Sequence, residues 1–383
     1  KIFCGVEIGQ SYITVTQRHP PSCTVIYDII VYEVLLRTMR WHVSVVLTLI
    51  LKTFFVLFLT DNSSVALHTP ADRLRSILRN RGDRSPAILL PGIHDALSAK
   101  VFSSQGADVL FLSGFGVSAT RLAVPDFGLL TQNEMEDCLR AVVQTVGDVP
   151  VIVDGDTGYG GAVNIRRTVR SFAAAGASAI TIEDQVFPKK CTYAAGEGVR
   201  VVSREESLSR IKAALKARDE VHDKDCRDIV IVARTDCRAA LGFEEALLRC
   251  KMYEDAGAEI VYAENLQSRE EYEQLRSELR PSTGTILAQL QTGRQDQTLW
   301  TTDEVGKMNY DLALFGVTAL QAYVQNLQDC ANALLMSKSG NQNSTGLVDT
   351  SKFHNNSCEG TVGLSSFDNL KETIGFADYE NFF

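Results

Sequence analysis

The feature that most constrains the fold of this chain is an eightfold alternation of short apolar, β-rich runs with amphipathic stretches, which begins near residue 72. Strands that alternate with helical stretches are typical of a parallel sheet covered by helices. Glycines end several of the helical stretches, as in Ala175-Gly176-Ala177. Eight such units predict an α/β protein with a (β/α)₈ TIM barrel over residues 72–336. The predicted strands are Ala87–Leu90, Val109–Ser113, Val151–Asp154, Ala179–Glu183, Ile229–Arg234, Ile260–Glu264, Thr285–Ala288 and Leu312–Phe315.

Composition agrees with one large enzyme-like domain. The 383 residues are 45% hydrophobic, which supplies a large core, and barrels of this class often exceed the usual domain size. A net charge of -9 without a cluster of Lys and Arg argues against nucleic acid as a partner. The nine cysteines are scattered without metal-binding spacing, so they do not indicate a disulfide scaffold.

Residues 1–66 are predicted to be an N-terminal extension outside the barrel. Met39 is the first methionine, and an apolar run from Val43 to Leu59 follows it, so residues 39–66 are typical of a signal peptide or anchor. The preferred interpretation is cleavage after Ala66 and entry into the secretory pathway or an organelle reached through it. Membrane contact is expected only if an anchor stays uncleaved. The alternative is an artefact of the gene model and a cytoplasmic enzyme.

The chain after the barrel divides into two parts. Residues 337–365 are rich in Ser, Asn and Gly, which predicts a flexible linker. Residues 366–383 contain a predicted helix, Ser366–Phe376, because Phe367, Leu370 and Ile374 recur at helical spacing. Such a helix docks either on its own barrel or on a neighbour's, and an exchange between chains would produce an oligomer.

Polar residues follow seven of the eight predicted strands, where a barrel enzyme has its active site. A single residue of this kind is more simply a helix cap or an ion-pair partner, but the set as a whole predicts a site. In the stretch Asp154-Gly155-Asp156, two carboxylates follow a strand and precede a glycine-rich turn, which suits Mg²⁺ as well as an ordinary turn. The full set is Asp95, Ser113, Gly114, Asp154, Asp156, Glu183, Asp184, Arg234, Asp236, Glu264 and Gln289.

Several motifs, in order over residues 72–335, resemble the isocitrate lyase/phosphoenolpyruvate mutase superfamily. The resemblance is nearest to plant-type members labelled carboxyvinyl-carboxyphosphonate phosphorylmutase, to petal-death-like lyases and to methylisocitrate lyase. It implies a small carboxylate substrate and a homo-oligomer, a dimer of dimers in which the C-terminal helix is exchanged. The matching stretches are Pro91–Ala99, Leu112–Gly114, Pro125–Thr131, Asp154–Gly160, Ile182–Gln185, Lys189–Cys191, Ala233–Asp236 and Leu370–Phe376.

The resemblance also implies roles for individual residues. Asp154 and Asp156 would hold Mg²⁺, with Mn²⁺ as the alternative, and Glu183 would lie in the outer shell. Asp126 would lie near the reaction centre. The residues expected to bind substrate are Ser113, Gly114, Phe115, Arg234, Glu264 and Gln289.

Cys191 distinguishes the branches of this superfamily. In the lyase branch, the loop that corresponds to Lys189–Val199 carries the sequence Lys-Lys/Arg-Cys-Gly-His. The cysteine of that loop is the acid/base that transfers the proton of the departing fragment. The mutase branch lacks that cysteine. Cys191, with Lys190 beside it, therefore favours a lyase that cleaves a carbon–carbon bond of a small 2-hydroxy or 2-oxo dicarboxylate, such as a 2-alkylmalate, oxaloacetate or a methylisocitrate-like acid.

The sequence departs from the superfamily pattern at two places. Thr192-Tyr193 replaces Gly-His after the cysteine, and Gln289-Leu290 begins a segment where the family usually reads Asn-Met-x-Glu-Gly-Gly. Two alternatives to the lyase therefore stand. One is carbon–phosphorus chemistry, as in a phosphoenolpyruvate mutase or a phosphonopyruvate hydrolase, and the other is a diverged barrel without turnover.

Overall fold

The structure is a computed structural model that describes residues 69–82, 85–192, 198–225, 227–291, 299–336, 353–354, 362–363 and 367–374. The chain divides into two compact units, Lys1–Leu67 and His68–Phe383. The predicted signal or anchor segment, residues 39–66, lies outside the described residues. No helix in the described part of the chain combines the length and the apolar character that a membrane crossing requires.

Parallel strands close into a barrel in which each strand pairs with the next along the chain and β8 pairs with β1. The predicted (β/α)₈ fold is therefore confirmed. The strands of the barrel are β1 Ile88–Ile93, β2 Leu110–Leu112, β3 Val151–Asp154, β4 Ala179–Ile182, β5 Val230–Thr235, β6 Ile260–Ala263, β7 Gly284–Ala288 and β8 Leu312–Phe315. Two further strands, β9 Phe353–His354 and β10 Val362–Gly363, pair in parallel within the stretch predicted as a linker.

Helices follow the strands as the sequence pattern requires. A π-helical turn, Ser118–Leu122, continues the short helix α3 and was not predicted. The helices are α1 Pro70–Asn80, α2 Ala96–Ser104, α3 Gly114–Val117, α4 Gln132–Val146, α5 Ala162–Ala175, α6 Arg204–Asp225, α7 Cys237–Leu241, α8 Phe243–Ala256, α9 Arg269–Glu278, α10 Thr302–Lys307, α11 Thr318–Met336 and α12 Phe367–Ile374. Helix α12 lies where the C-terminal helix was predicted and contacts α2 of the same chain. Its exchange between subunits stays a prediction.

Two apolar cores hold the barrel together. One lies between the sheet and the surrounding helices, and the other fills the inside of the barrel. Helix α1 belongs to the inner core, because its Ala71 and Leu74 are fully buried against strand residues. Arg75 of the same helix pairs with Asp228 and Glu259, just before β5 and β6. Helix α1 is thus fixed to the amino-terminal end of the sheet, and the carboxyl end stays available for a site.

Strands β1 and β8 approach each other too closely to admit a side chain at Gly92. A Cβ atom built there would overlap the carbonyl group of Gly316, which is backbone and cannot rotate away. Closure of the barrel between its first and last strands therefore depends on glycine at this position.

We expect Gly92→Ala to lower the free energy of unfolding by about 1–3 kcal/mol or more, because overpacking displaces backbone atoms. Thermal unfolding followed by circular dichroism measures the change. Gly161→Ala is the control, since a Cβ atom there meets nothing within 4 Å. Gly161 is the N-cap of α5, so we expect this control to cost less than about 1 kcal/mol. Equal melting temperatures for the two variants would contradict the close approach.

Candidate active site

A cavity of about 500 Å³ opens at the carboxyl ends of the barrel strands. Its polar lining includes Ser113, Asp126, Asp154, Gln185, Lys189, Cys191, Thr192, Arg234, Glu264 and Gln289. A larger cleft of about 1110 Å³ lies beside α1, but its Arg75 and Arg81 are already paired with carboxylates. The smaller cavity is the candidate active site, because it gathers the polar residues that end different strands.

Asp154 is fixed by hydrogen bonds from three directions. Its Oδ1 accepts from the backbone N–H of Asp156 at 3.1 Å and from Thr181 Oγ1 at 3.1 Å. Its Oδ2 accepts from the backbone N–H of Gly114 at 3.2 Å. A Cβ atom at residue 114 would lie 3.0 Å from Asp154 Oδ2 and 3.1 Å from Asp156 Oδ1. Glycine at this position therefore lets α3 approach both carboxylates.

The loop after β3 holds Asp156 in a costly backbone conformation. Asp156 has a φ of 48° and Tyr159 a φ of 59°, in the left-handed region that residues with a side chain rarely adopt. Strain of this kind costs of order 1–3 kcal/mol per residue and persists only where the surroundings enforce it. Here the strain turns the Asp156 carboxylate back toward Asp154 and Gly114.

Lys189 is the cation nearest to these carboxylates. Its side chain is buried, and Nζ pairs with Asp156 and, at 2.9 Å, with Asp126 Oδ1. Burial alone would lower the pKa of Lys189, but the surrounding carboxylates raise it well above its usual value. Lys189 is therefore a permanent positive charge inside the site. The side chain of Lys190, which the sequence analysis selected, is instead exposed, and its backbone N–H donates to Gln185 Oε1 at 3.0 Å.

The carboxylates of the site differ in how readily they ionise. Burial acts to raise the pKa of Asp154, but Lys189 and Arg234 lower it below its usual value. Burial raises the pKa of Asp156 to about 7, with Lys189 opposing and Asp154 reinforcing the shift. Burial also raises the pKa of Glu183 well above its usual value. Burial therefore disfavours the charged forms of Asp156 and Glu183 more strongly than the neighbouring cations favour them.

Glu183 gives a direct sign of a missing partner. Both of its carboxylate oxygens are buried, and neither accepts a hydrogen bond from the residues that the structure describes. Oε2 lies 3.4 Å from Arg234 Nε, which is an ion-pair distance. Buried polar groups are normally satisfied. An ion or its bound water beside Asp154 and Asp156 would supply the partner that Glu183 lacks.

The donor set fits a hard cation that takes most of its ligands from water and substrate. Among the described residues, no three His, Cys, Asp or Glu side chains are grouped so that they alone could hold a metal. Mg²⁺ commonly takes only one or two carboxylates from the protein, together with water and substrate oxygens. Asp154 and Asp156 can supply that pair, provided that Lys189 shares Asp156 with the ion.

Arg234 is held by carboxylates on several sides. Nη2 lies 2.8 Å from Asp236 Oδ1 and 3.2 Å from Glu264 Oε2, and the guanidinium carbon lies 5.2 Å from the centre of the Tyr262 ring. Burial would lower the pKa of Arg234, but these carboxylates raise it well above its usual value. Arg234 also lines the cavity, where a guanidinium group can donate a charge-assisted hydrogen bond to a substrate carboxylate.

A buried ion pair supports Arg234 from behind. Asp184 accepts hydrogen bonds from Arg249 Nη1 at 2.9 Å, from Thr235 Oγ1 at 2.5 Å and from the backbone N–H of Asp236 at 2.9 Å. Arg249 belongs to α8 and is only 2% exposed. Helix α8 therefore fixes the end of β5, and with it the orientation of Asp236.

Cys191 and Thr192 are adjacent residues that both line the cavity. The backbone N–H of Cys191 donates to the carbonyl of Asp126 at 3.1 Å, and its half-buried side chain lines the cavity. Thr192 is buried, and its Oγ1 donates to Asp236 Oδ1 at 2.5 Å. Residues 193–197 lie outside the described part of the chain, so Tyr193 is not placed.

The other predicted substrate-binding residues have varied positions. Ser113 lines the cavity, and its Oγ also accepts from the backbone N–H of Gly116 at 3.2 Å. Phe115 lines the cavity as predicted. Gln289 lines it too, but its amide Nε2 donates to the carbonyl of Trp300 at 2.9 Å while its Oε1 accepts from the N–H of Trp300 at 2.6 Å. Both ends of the Gln289 amide therefore already bind backbone.

Sequence reasoning selected Lys190 where the structure buries Lys189, and it gave Thr192 no role in the site. Side chains along an extended segment alternate in direction, so only one of two adjacent lysines could face the carboxylates, and no local signal says which. Thr192 was noted only as a departure from the superfamily pattern. Asp95 is the N-cap of α2, where its Oδ1 accepts from the backbone N–H of Ser98 at 2.7 Å. Its role in the structure is therefore the capping role that a single strand-end residue suggests.

Comparison with known proteins gives one consistent family. The family described as phosphoenolpyruvate phosphomutase matches residues 74–335. The chain is 35% identical over 280 residues to 2,3-dimethylmalate lyase of Eubacterium barkeri, across 73% of this chain and 90% of that protein. It is also similar to the solved structure of oxaloacetate acetylhydrolase with the inhibitor 3,3-difluorooxalacetate, with a TM-score of 0.69 and 28% identity over 82% of this chain and 96% of that chain. Phosphonopyruvate hydrolase in complex with oxalate and Mg²⁺ gives a TM-score of 0.63 and 28% identity over 82% and 97% of the two chains.

We expect Arg249→Met to lower the free energy of unfolding by about 3–5 kcal/mol, because it leaves the buried Asp184 carboxylate without its partner. Urea unfolding followed by circular dichroism measures this loss. Arg204→Met is the matched control, because Arg204 shares Glu245 with Arg249 but its side chain is 48% exposed. We expect the control to lose less than about 1 kcal/mol. Similar losses in both variants would show that burial of the Asp184 pair does not matter.

Proposed function

The chain belongs to the phosphoenolpyruvate mutase/isocitrate lyase superfamily, and we propose that it is a Mg²⁺-dependent lyase that cleaves a carbon–carbon bond of a small 2-hydroxy or 2-oxo dicarboxylate. Relatives named as lyases of dimethylmalate and methylisocitrate support the reaction class. A 2-alkylmalate, oxaloacetate and a methylisocitrate-like acid are the substrates to be tested.

The charge balance of the cavity carries this proposal. Two cations, Lys189 and Arg234, face six carboxylates that lie in the cavity wall or directly behind it. These carboxylates are Asp126, Asp154, Asp156, Glu183, Asp236 and Glu264. Like charges in a buried site disfavour one another's ionisation unless a cation compensates them. A divalent cation would compensate this excess and, at the same time, create a place for a chelating dicarboxylate.

The chain's own residues can bind and orient the substrate. Arg234, aligned by Asp236, would take one carboxylate of the substrate. Asp154 and Asp156 would hold Mg²⁺, with Glu183 facing its outer shell. When bound, Mg²⁺ would polarise the oxygen on C2 of the substrate and stabilise negative charge there. Asp154, Asp156 and Glu183 are buried, and burial strengthens each of these electrostatic interactions.

Proton transfer needs one acceptor and one donor. Asp126 is held by Lys189 Nζ at 2.9 Å and would accept the proton of a 2-hydroxyl group. A 2-oxo substrate would first add a water molecule at C2, which supplies the same hydroxyl group and leads to oxalate after cleavage. As the C2 carbonyl forms, the C2–C3 bond breaks and its electron pair passes to the departing fragment. Cys191 would donate the thiol proton to that fragment at C3. Cys191 and Asp126 line the same cavity, and the backbone N–H of Cys191 donates to the carbonyl of Asp126.

Carbon–phosphorus chemistry is the second candidate, because phosphonopyruvate hydrolase is among the similar structures. Phosphonopyruvate is, like oxaloacetate, a small 2-oxo acid with a second anionic group on C3. Cys191 in the cavity wall favours the lyase, since a hydrolytic cleavage that releases phosphate takes its proton from water.

Two further proposals concern the whole protein. A homo-oligomer would cover apolar side chains that α11 leaves exposed, among them Tyr323 and Leu327. Residues 39–66 support entry into the secretory pathway, and a cytoplasmic enzyme is the alternative.

The purified protein with Mg²⁺ should release a 2-oxo acid or oxalate from at least one member of a panel of 2-methylmalate, oxaloacetate, methylisocitrate and isocitrate. EDTA should abolish this release, and added Mg²⁺ should restore it, because the carboxylate pair needs the ion. Product assays by mass spectrometry, with phosphonopyruvate in parallel, make the test. Release of phosphate from phosphonopyruvate, without cleavage of any other substrate, would show that the protein carries out carbon–phosphorus chemistry. Absence of product from every substrate tested would favour a diverged barrel without turnover.

Cys191→Ser should lower kcat by a factor of at least about 100, because a serine hydroxyl is a far weaker acid than a thiol in the proposed proton donation. Steady-state kinetics on the substrate found in the panel measures the loss. Cys330→Ser on α11 makes the same chemical change at a half-buried cysteine outside the cavity lining and should leave kcat unchanged. Full activity in Cys191→Ser would reject the proton-transfer role.

A further inference from the structure

Thr192 occupies a position where the lyase pattern of the superfamily has glycine, and its hydroxyl makes a bond that glycine cannot make. The side chain is only 4% exposed, and Oγ1 donates to Asp236 Oδ1 at 2.5 Å. The acceptor carries a negative charge, so this hydrogen bond is of the stronger, charge-assisted kind. Thr192 therefore touches the group that aligns Arg234.

Asp236 connects Thr192 to the substrate-binding arginine. Its Oδ1 accepts from Thr192 and also from Arg234 Nη2 at 2.8 Å, while its Oδ2 accepts from Arg234 Nε at 3.0 Å. Its backbone N–H donates to Asp184 Oδ1 at 2.9 Å. Asp236 is fully buried, so bulk water cannot replace a lost donor. Removal of the Thr192 hydroxyl would leave Oδ1 with fewer donors and free the carboxylate to rotate.

Rotation of Asp236 would misalign Arg234, because other carboxylates compete for the same guanidinium group. Glu264 Oε2 lies 3.2 Å from Arg234 Nη2, and Glu183 Oε2 lies 3.4 Å from Nε. The two-point bond with Asp236 decides which edge of the guanidinium remains for a ligand. If the guanidinium group of Arg234 shifts toward Glu264, a different set of its N–H groups faces the cavity.

We propose that Thr192 is a positioning residue that, through Asp236, holds Arg234 in the orientation that binds a substrate carboxylate. The inference rests on the proposed function, in which Arg234 binds that carboxylate. It assigns to Thr192 an effect on substrate binding and no part in proton transfer.

The first test compares Thr192→Val, which keeps the shape and removes the hydroxyl, with Thr192→Ser, which keeps the hydroxyl and removes the methyl group. Calorimetry with 3,3-difluorooxaloacetate and Mg²⁺ measures binding without turnover. We expect Thr192→Val to raise the Kd by about tenfold or more, as for the loss of a hydrogen bond to a charged group, and Thr192→Ser to stay within about twofold of the wild type. Thr145→Val on α4, where the hydroxyl donates only to the carbonyl of Ala141, should leave the Kd unchanged.

The second test asks whether Thr192 acts through Arg234. In an Arg234→Lys background, which abolishes the two-point bond, Thr192→Val should change the Kd by less than about twofold, because coupled residues are not additive. In kinetics with an active substrate, Thr192→Val should raise KM and leave kcat nearly unchanged. Equal losses in the Val and Ser variants, or an undiminished loss in the Arg234→Lys background, would overturn the proposal.

The outcomes separate this inference from the proposed function. Wild-type protein that binds the inhibitor but cleaves nothing in the panel would overturn the lyase and leave the role of Thr192 to be decided by the Val and Ser variants. Turnover with equal behaviour of these two variants would overturn the role of Thr192 alone. Wild-type protein that neither binds the inhibitor nor cleaves any member of the panel would overturn both. Thermal melting of each variant, compared with Thr192→Ser as the conservative reference, detects a folding defect.

Discussion

Negative charge buried at one end of the barrel is the constraint on which the rest of the site depends. Carboxylates from several strands meet in a region from which water is largely excluded, where like charges interact strongly. Lys189 and Arg234 compensate part of this charge. Burial raises the pKa values of Asp156 and Glu183, and neighbouring carboxylates add to both shifts. The divalent cation of the proposed function would compensate the negative charge that remains.

The barrel fixes each of these charged side chains in place. Asp154 is tied to β4 through Thr181 and to α3 through Gly114. The strained loop after β3 turns Asp156 toward the same point. On the opposite side, the buried pair of Asp184 and Arg249 anchors the end of β5 to α8. A site built on several strands in this way keeps its geometry while ligands exchange.

Much of the architecture could be predicted from the sequence, because every strand of a parallel barrel is buried on both faces. Such strands leave continuous apolar runs, and the predicted limits of β3 and β8 agree with the structure to the residue. The strand-end polar residues followed from the same pattern. Details that depend on tertiary contacts could not be predicted from the sequence. Neither the choice of Lys189 over Lys190 nor the bonding of Gln289 to Trp300 has a local signal, because each depends on segments that meet only in the folded chain.

The departures from the superfamily pattern have a common physical consequence. Thr192 bonds to Asp236, and Gln289 bonds to the backbone of Trp300. In both cases the polar atoms of the new side chain are used inside the protein, so they add little hydrogen-bonding capacity to the cavity. Under the proposed function, recognition of the carboxylates of a ligand would fall to Arg234 and to the cation held by Asp154 and Asp156. Phe115, Leu290 and Leu320 are among the apolar side chains that complete the lining. Discrimination among dicarboxylates would therefore depend on the shape of the apolar lining, since the polar groups bind a feature that all of them share.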